Sequence, residues 1–126
     1  MRGLEGKVIR IVAALVLDER QRVLLVRKTG TRAFMQPGGR LRDSESHFAA
    51  LEREFSEELR CSVGPGGSVF LGTFSAPAAN QALYVGEAAL YRVKPVGAIS
   101  AASEIEEIIW VDPAQPHHLK LAPLIR

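Results

Sequence analysis

Three glutamates on one short segment are the side chains best suited to chemistry: Glu54, Glu57 and Glu58. Successive helical residues turn by about 100°, so on a helix the three carboxylates share a sector of roughly 100°. Like charges at these spacings oppose helix formation by roughly 0.2 to 0.5 kcal/mol per pair, so a positive partner is expected. Carboxylate oxygens on a rigid helix suit Mg²⁺ or Mn²⁺. The alternative is a solvated acidic face with Arg53 and Arg60 as diffuse partners.

A glycine pair lies upstream of these carboxylates. Gly38 and Gly39 follow a proline, and they allow the backbone to turn sharply and to approach a ligand closely. Arg40 and Arg42 add positive charge suited to phosphate. Arg27 and Lys28, at the end of an earlier β-prone segment, could also reach a phosphate, although strand ends often carry such residues for solubility. The pattern predicts a loop and a helix that converge on an anionic ligand.

The helix that carries the glutamates is predicted from its cap and its apolar spacing. Ser44 or Ser46 can serve as the N-cap. Apolar residues then recur at intervals of three and four, which places them on one stripe facing a core. This stripe comprises Phe48, Leu51, Phe55 and Leu59. The glutamates face away from it, and residues 64–67, with three glycines and a proline, are expected to end the unit.

The remaining segments are mostly β-prone. Residues 9–17 and 23–26 predict one hairpin, and residues 69–74 and 83–93 predict a second. Residues 105–111 form another strand, after which Asp112 and Pro113 supply the cap and first turn of a short final helix. This order predicts one α/β domain over residues 1–126, with a mixed sheet sandwiched by helices.

The bulk composition excludes several classes of protein. The 126 residues suit one domain, with 47% hydrophobic and 24% charged residues. Sixteen Lys and Arg against fourteen Asp and Glu give a net charge of +2, which is too balanced for binding long nucleic acid. No apolar run is long enough to cross a membrane. The single cysteine, Cys61, cannot form an internal disulfide, so a cytoplasmic location is expected.

The spacing around the glutamates resembles a known motif. Gly39, five residues, Glu45, seven residues and then Arg53-Glu54-Phe55-Ser56-Glu57-Glu58 are similar to the Nudix box, G-x5-E-x7-R-E-U-x-E-E-x-G-U, where U is apolar. The match runs from Gly39 to Cys61 and covers six fixed polar or glycine positions. Arg60 replaces the terminal glycine and Cys61 the last apolar residue. Neither position is a metal ligand in the family, so the departures affect the helix end.

This resemblance to Nudix hydrolases implies a fold and a metal site. The fold is an α/β/α sandwich with a mixed sheet. Glu54, Glu57 and Glu58 would bind Mg²⁺, with Mn²⁺ as a possible substitute, while Arg53 and Glu45 would orient the site through an ion pair. Gly38, Gly39 and Arg40 would form the substrate-binding loop before the helix, together with Arg27.

The family often supplies one more acidic residue from a late loop. Glu104 is the candidate here, and Glu107 is its nearby competitor. Glu54 or Glu104 would accept the proton of a water that attacks phosphorus in line.

The function implied is that of a metal-dependent pyrophosphohydrolase, which cleaves a nucleoside diphosphate linked to another moiety. Its partner would be a small-molecule nucleotide, and a homodimer is compatible with the family. The first alternative is a catalytically silent Nudix-like nucleotide-binding or sensor domain; retention of Glu54, Glu57 and Glu58 argues against it. The second alternative is a structural interaction domain with an acidic helix.

Overall fold

The computed structural model of the chain describes residues 8–77 and 85–114. This part contains seven strands and one helix. In chain order they are β1 (Val8–Leu15), β2 (Val23–Lys28), β3 (Phe34–Met35), β4 (Gly38–Arg40), α1 (His47–Leu59), β5 (Ser62–Pro77), β6 (Val85–Val96) and β7 (Ile105–Val111). The α/β class is confirmed. The expected final helix was to begin at Asp112 and Pro113; the structure describes a turn there, with the Ala114 N–H donating to Asp112 Oδ1 over 2.9 Å, and the rest of the predicted helix, the second helical layer of the sandwich, lies outside the described residues.

The strands form two sheets. The larger has the order β4-β1-β6-β5, in which β1 and β6 run parallel and the other pairs antiparallel, so the sheet is mixed, as predicted. The smaller has the order β3-β2-β7 and is antiparallel throughout. Strands β1 and β4 of the larger sheet bring Val12 opposite Gly39, which places the glycine pair on the edge strand of that sheet, next to β1.

The predicted first hairpin forms only next to its turn, and the pairing predicted for the rest of its two strands is wrong. Leu17 pairs with Val23 across the turn, and the Leu24 N–H donates to the Val16 carbonyl over 3.0 Å. From there β1 and β2 diverge into different sheets, because each finds longer partners elsewhere: β1 pairs with β6 and β2 with β7. Local turn chemistry could not reveal those distant partners.

Helix α1 begins and packs largely as the sequence predicts. Ser46 is the N-cap, and its hydroxyl accepts from the Ala49 N–H over 3.0 Å. Leu51, Phe55 and Leu59 are buried in the core, and each such side chain stabilises the fold by roughly 1.5 to 3 kcal/mol. The prediction for Phe48 is wrong, since this residue, in the first turn of the helix, is 41% exposed. No described helix is long and apolar enough to cross a membrane.

Strand β5 is longer than expected and includes the segment that was predicted to end the helical unit. It begins at Ser62, and its register against β6 shifts between Val63 and Ser68, so residues 64–67 form an irregularity within the strand. Gly66 has a φ of 75°, which glycine adopts easily. The pairing of β5 with β6 is antiparallel, as the second hairpin requires, while its tip at residues 78–84 lies outside the described residues.

Candidate active site

Arg53 holds two carboxylates at the centre of the site. Its Nε and Nη2 donate to the two oxygens of Glu45 over 2.7 and 2.9 Å, and its Nη1 donates to Glu54 Oε2 over 2.7 Å. The Arg53 guanidinium, helped by the Arg42 N–H, lowers the pKa of Glu45 from 4.5 to about 2. The hydrogen bond to Glu45 in turn raises the pKa of Arg53. The predicted ion pair is therefore present and stays charged across the ordinary pH range.

The glycine pair is packed against this cluster. A Cβ built on Gly39 would collide with the Glu54 carboxylate, lying 2.6 Å from its Cδ. Gly38 has a φ of 142°, and a Cβ there would overlap the Val12 carbonyl. A side chain at Gly38 would displace backbone, which cannot yield as a flexible side chain can, and a side chain at Gly39 would displace the Glu54 carboxylate from its hydrogen bond with Arg53. The two glycines thus let the loop approach the helix at the level of Glu54.

Glu58 lies one turn further along α1 in a different electrostatic setting. Burial, followed by the negative charge of Glu54, raises the pKa of Glu58 from 4.5 to about 7. The residue is 8% exposed. Lys28 opposes the shift, and the charge of Glu104 adds to it. Glu54 and Glu58 are therefore neighbouring buried carboxylates. Of the two, only Glu54 accepts a hydrogen bond from the Arg53 guanidinium.

Glu57 is the outlying member of the three glutamates. Its side chain is 50% exposed, and its Oε1 lies 3.8 Å from Arg53 Nη1. Within residues 8–77 and 85–114, no three His, Cys, Asp or Glu side chains converge closely enough to hold a metal ion. The structure brings Glu54 and Glu58 together and leaves Glu57 at the solvent edge.

The loop between β6 and β7 closes the C-terminal end of α1. Its Ser100 and Ala102 N–H groups donate to the carbonyls of Leu59 and Glu58, each over 3.0 Å. These bonds occupy carbonyls that the end of a helix leaves unpaired. The Glu104 carbonyl then accepts from the Thr29 N–H over 2.8 Å, which ties this loop to the end of β2. Glu104 is exposed and within electrostatic reach of Glu58.

Arg27 and Glu107 form a separate network on the smaller sheet. Arg27 Nε donates to Glu107 Oε1 over 3.1 Å, and its Nη1 donates to the Thr31 carbonyl over 2.9 Å. Glu106 completes the network at 3.3 Å from Nη1. With these donors engaged, phosphate binding by Arg27 would require it to leave its partners. Glu107 is likewise held by a cation, whereas Glu104 has no ion-pair partner among the described residues.

The other predicted loop residue contributes through its backbone. Arg40 has an exposed side chain, and its carbonyl accepts from Arg53 Nη2 over 3.0 Å. Lys28 was predicted only as a possible phosphate contact, whereas in the structure its positive charge acts on Glu58. The sequence signal for this role was its position at the end of β2, next to Arg27. The pairing of β2 with β7 was needed to interpret that position.

Comparison with known proteins agrees with this arrangement. The NUDIX domain profile matches residues 7–126, so the chain belongs to the Nudix hydrolase family. Comparison with curated protein sequences gives no significant match.

Three solved structures share the fold. The E. coli ORF135 protein is 24% identical with a TM-score of 0.73, covering 93% of this chain and 82% of that chain. MutT NUDIX hydrolase from Burkholderia pseudomallei is 20% identical with a TM-score of 0.71, covering 94% and 93%. MutT protein from Methanosarcina mazei Go1 is 25% identical with a TM-score of 0.69, covering 85% and 78%.

Proposed function

We propose that this protein is a metal-dependent pyrophosphohydrolase that cleaves a nucleoside diphosphate linked to another moiety. One observation carries the proposal: Glu54 and Glu58 are buried side by side, next to a glycine that leaves no room for a side chain. A solvated acidic face would leave these carboxylates in water, because burying a charge without a partner is costly. Membership of the Nudix hydrolase family supports the same reaction class.

The donor set fits a divalent cation in its chemistry. Glu54 and Glu58 offer hard oxygen ligands, and a cation between them would offset the burial and the repulsion that together raise the pKa of Glu58. Glu57, one turn from Arg53, is the third proposed ligand and would have to turn inward from the solvent. When bound, Mg²⁺ or Mn²⁺ would neutralise phosphate charge and make water more acidic.

The chain's own residues supply orientation and a base. Arg53 fixes Glu54 through a short hydrogen bond, so this carboxylate cannot rotate freely. Gly38 and Gly39 let the β4 backbone approach the diphosphate, and Glu104 or Glu54 accepts the proton of the attacking water. Of these two candidates, Glu104 is the freer, because Glu54 already accepts from Arg53.

The test is a panel of nucleoside triphosphates and nucleoside diphosphates joined to sugars or to a second nucleoside. Products are separated by ion-exchange chromatography after incubation with Mg²⁺, with Mn²⁺ or with a chelator. We expect cleavage within the diphosphate, dependent on the cation and lost in Glu58→Gln purified in parallel. Equal activity in Glu58→Gln, or the absence of cleavage across the panel, would contradict the proposal.

The exposure of Glu57 favours one second candidate, a nucleotide-binding domain without turnover. In that case the panel would yield no product, while nucleotides would still raise the melting temperature. The same panel therefore separates the two functions.

A further inference from the structure

A β-bulge in the smaller sheet determines which residues face each other at the end of β2. Strand β2 pairs residue for residue with β7 as far as Arg27, which lies opposite Glu107. The register then shifts, so that Lys28 lies opposite Ile105 and Glu106 is an extra residue on β7. Bulges of this kind change the direction of side chains and are common next to active sites.

Lys28 lies on the face of the smaller sheet that is directed at the core shared with α1. Leu24 and Val26 on β2 belong to that core, and side chains two residues apart share one face of a strand. Lys28 is the next residue in this series. Its partner Ile105 is 5% exposed and belongs to the same core, which confirms that the face is the inner one.

The outer side of the bulge is held by Arg27. Its guanidinium lies 3.3 Å from Glu106 Oε1 and 3.0 Å from Glu107 Oε1, and its Nη1 donates to the Thr31 carbonyl over 2.9 Å. Both glutamates at the bulge are thus tied to one cation on the outer face. This arrangement leaves the inward position at the end of β2 to Lys28.

Two backbone hydrogen bonds bring this inward position to the C-terminal end of α1. The Thr29 N–H donates to the Glu104 carbonyl over 2.8 Å, and the Ala102 N–H donates to the Glu58 carbonyl over 3.0 Å. Burial raises the pKa of Glu58, and the positive charge of Lys28 acts against that rise. Lys28 is half-buried and forms no ion pair with a carboxylate in the described part of the chain. Its charge therefore reaches Glu58 without occupying the carboxylate oxygens.

We propose that Lys28 is a positioning residue that acts through Glu58: its charge opposes the binding of Mg²⁺ alone and favours Mg²⁺ already bound to the diphosphate of the substrate. The inference rests on the proposed function, because it takes Glu58 as a metal ligand. A fixed positive charge close to a carboxylate repels a second cation from it. A magnesium complex that retains excess negative charge on its phosphate oxygens is instead attracted by the same ammonium group. Lys28 thus favours joint binding of cation and substrate.

The experiment titrates the purified, metal-free full chain with MgCl₂ at about pH 8 and low ionic strength, using isothermal titration calorimetry without nucleotide. We expect Lys28→Met to bind Mg²⁺ roughly three- to tenfold more tightly than the parent, with a smaller difference at high salt. Lys28→Arg keeps the charge and should match the parent. Damage to the fold would weaken binding rather than tighten it. Lys28→Gln is the second variant, used if Lys28→Met fails to fold.

The second probe is the magnesium complex of methylene diphosphonate, a diphosphate analogue that water does not cleave. Lys28→Met should bind this complex more weakly than the parent, which is the opposite of its expected response to Mg²⁺ alone. Equal tightening of both ligands in Lys28→Met would mean that Lys28 does not distinguish them, and this result overturns the inference.

Lys94→Met is the matched control. Lys94 is exposed and follows the buried Val93 on β6, so it lies on the face of the larger sheet that is turned away from the core. Its removal changes the net charge by the same amount, and its Mg²⁺ affinity should match the parent's. Equal tightening in Lys94→Met would show a general effect of net charge and overturns the inference.

The titration also separates this inference from the proposed function. Mg²⁺ binding that is equal or weaker in Lys28→Met overturns the inference alone, because the protein still binds the cation. No Mg²⁺ binding by the parent or by any Lys28 variant, with or without the diphosphonate, contradicts the proposed function as well.

Discussion

The carboxylates around Arg53 and the carboxylate of Glu58, one helical turn later, lie in opposite electrostatic settings. Around Arg53, Glu45 and Glu54 receive short charged hydrogen bonds, and the pKa of Glu45 falls to about 2. One turn later, Glu58 is buried beside Glu54, and its pKa rises to about 7 because burial and like charge disfavour its ionised form. The first arrangement is complete without any ligand. The second is satisfied only by a proton or by a cation.

The two arrangements therefore respond to pH in opposite directions. Glu45 binds its proton less tightly in the folded chain than in the unfolded one, so its stabilising contribution is lost as the pH falls from 4.5 toward 2. Glu58 binds its proton more tightly in the folded chain, so stability is lost as the pH rises from 4.5 through about 7. The Glu45 carboxylate therefore stays charged near neutral pH, whereas Glu58 changes its protonation there.

The largest effect is expected from removing a carboxylate of the proposed metal site. Glu58→Gln and Glu57→Gln should each lower turnover by roughly 10²- to 10³-fold, because a neutral amide is a poor ligand for Mg²⁺. Folding should survive, since glutamine matches the shape and helix propensity of glutamate. Steady-state hydrolysis of the best substrate and thermal melting measure the two effects.

Glu52→Gln on the same helix is the control for these variants. Glu52 accepts from the Val63 N–H over 3.0 Å, and a glutamine oxygen can still accept that bond. Its turnover should match the parent's. Parental turnover in both Glu57→Gln and Glu58→Gln would mean that the acidic sector is a solvated face.

A smaller loss is expected from the late loop. Glu104→Gln should lower turnover about a hundredfold if Glu104 is the base, because positioned bases contribute at least that much. Glu107→Gln should have little effect on turnover, since Glu107 is engaged with Arg27. Turnover as a function of pH checks the assignment. The reverse ranking would move the role to Glu107, and two near-parental variants would leave the base within α1.

Changes to the Arg53 cluster should lower both turnover and stability. Arg53→Lys removes the paired contacts to Glu45 and Glu54, so turnover should fall about ten- to a hundredfold and the melting temperature should drop. Arg22→Lys is the control, because Arg22 pairs with Asp18 over 2.7 Å in a surface turn. Equal melting temperatures for the two variants would show that the Arg53 cluster adds no more than a surface ion pair.

The smallest effect concerns the helix end that follows this site. Arg60 has φ 56° and ψ 34°, a left-handed conformation that costs a side chain up to about 1 kcal/mol relative to glycine. Arg60→Gly should therefore raise the free energy of unfolding by up to that amount in a denaturant titration. Ser56→Gly, inside α1 and exposed, should lower it by roughly 0.5 kcal/mol. Unchanged or lower stability in Arg60→Gly would reveal a compensating contact.

The sequence predicted what depends on nearby residues. Ser46 and three of the four stripe residues of α1 follow from spacing along a single segment, whereas the Glu45 to Arg53 ion pair was implied by the resemblance to the Nudix box. The first hairpin failed because β1 and β2 pair with strands that are distant in the sequence. The effect of Lys28 on Glu58 and the Arg27 to Glu107 ion pair could not be predicted for the same reason. Burial of Glu58 also depends on packing that no single segment contains, so the opposing pKa shifts could not be anticipated.

The most direct test of the account is the melting temperature of the metal-free protein between pH 4.5 and pH 8, compared with that of Glu58→Gln. The parent should lose stability relative to the variant as the pH rises through about 7, because only the parent must ionise a buried carboxylate. Adding Mg²⁺ at the upper pH should restore the parent and leave the variant nearly unchanged. Parallel melting curves across the range, with an equal response to Mg²⁺ in both proteins, would contradict the claim that Glu58 awaits a cation.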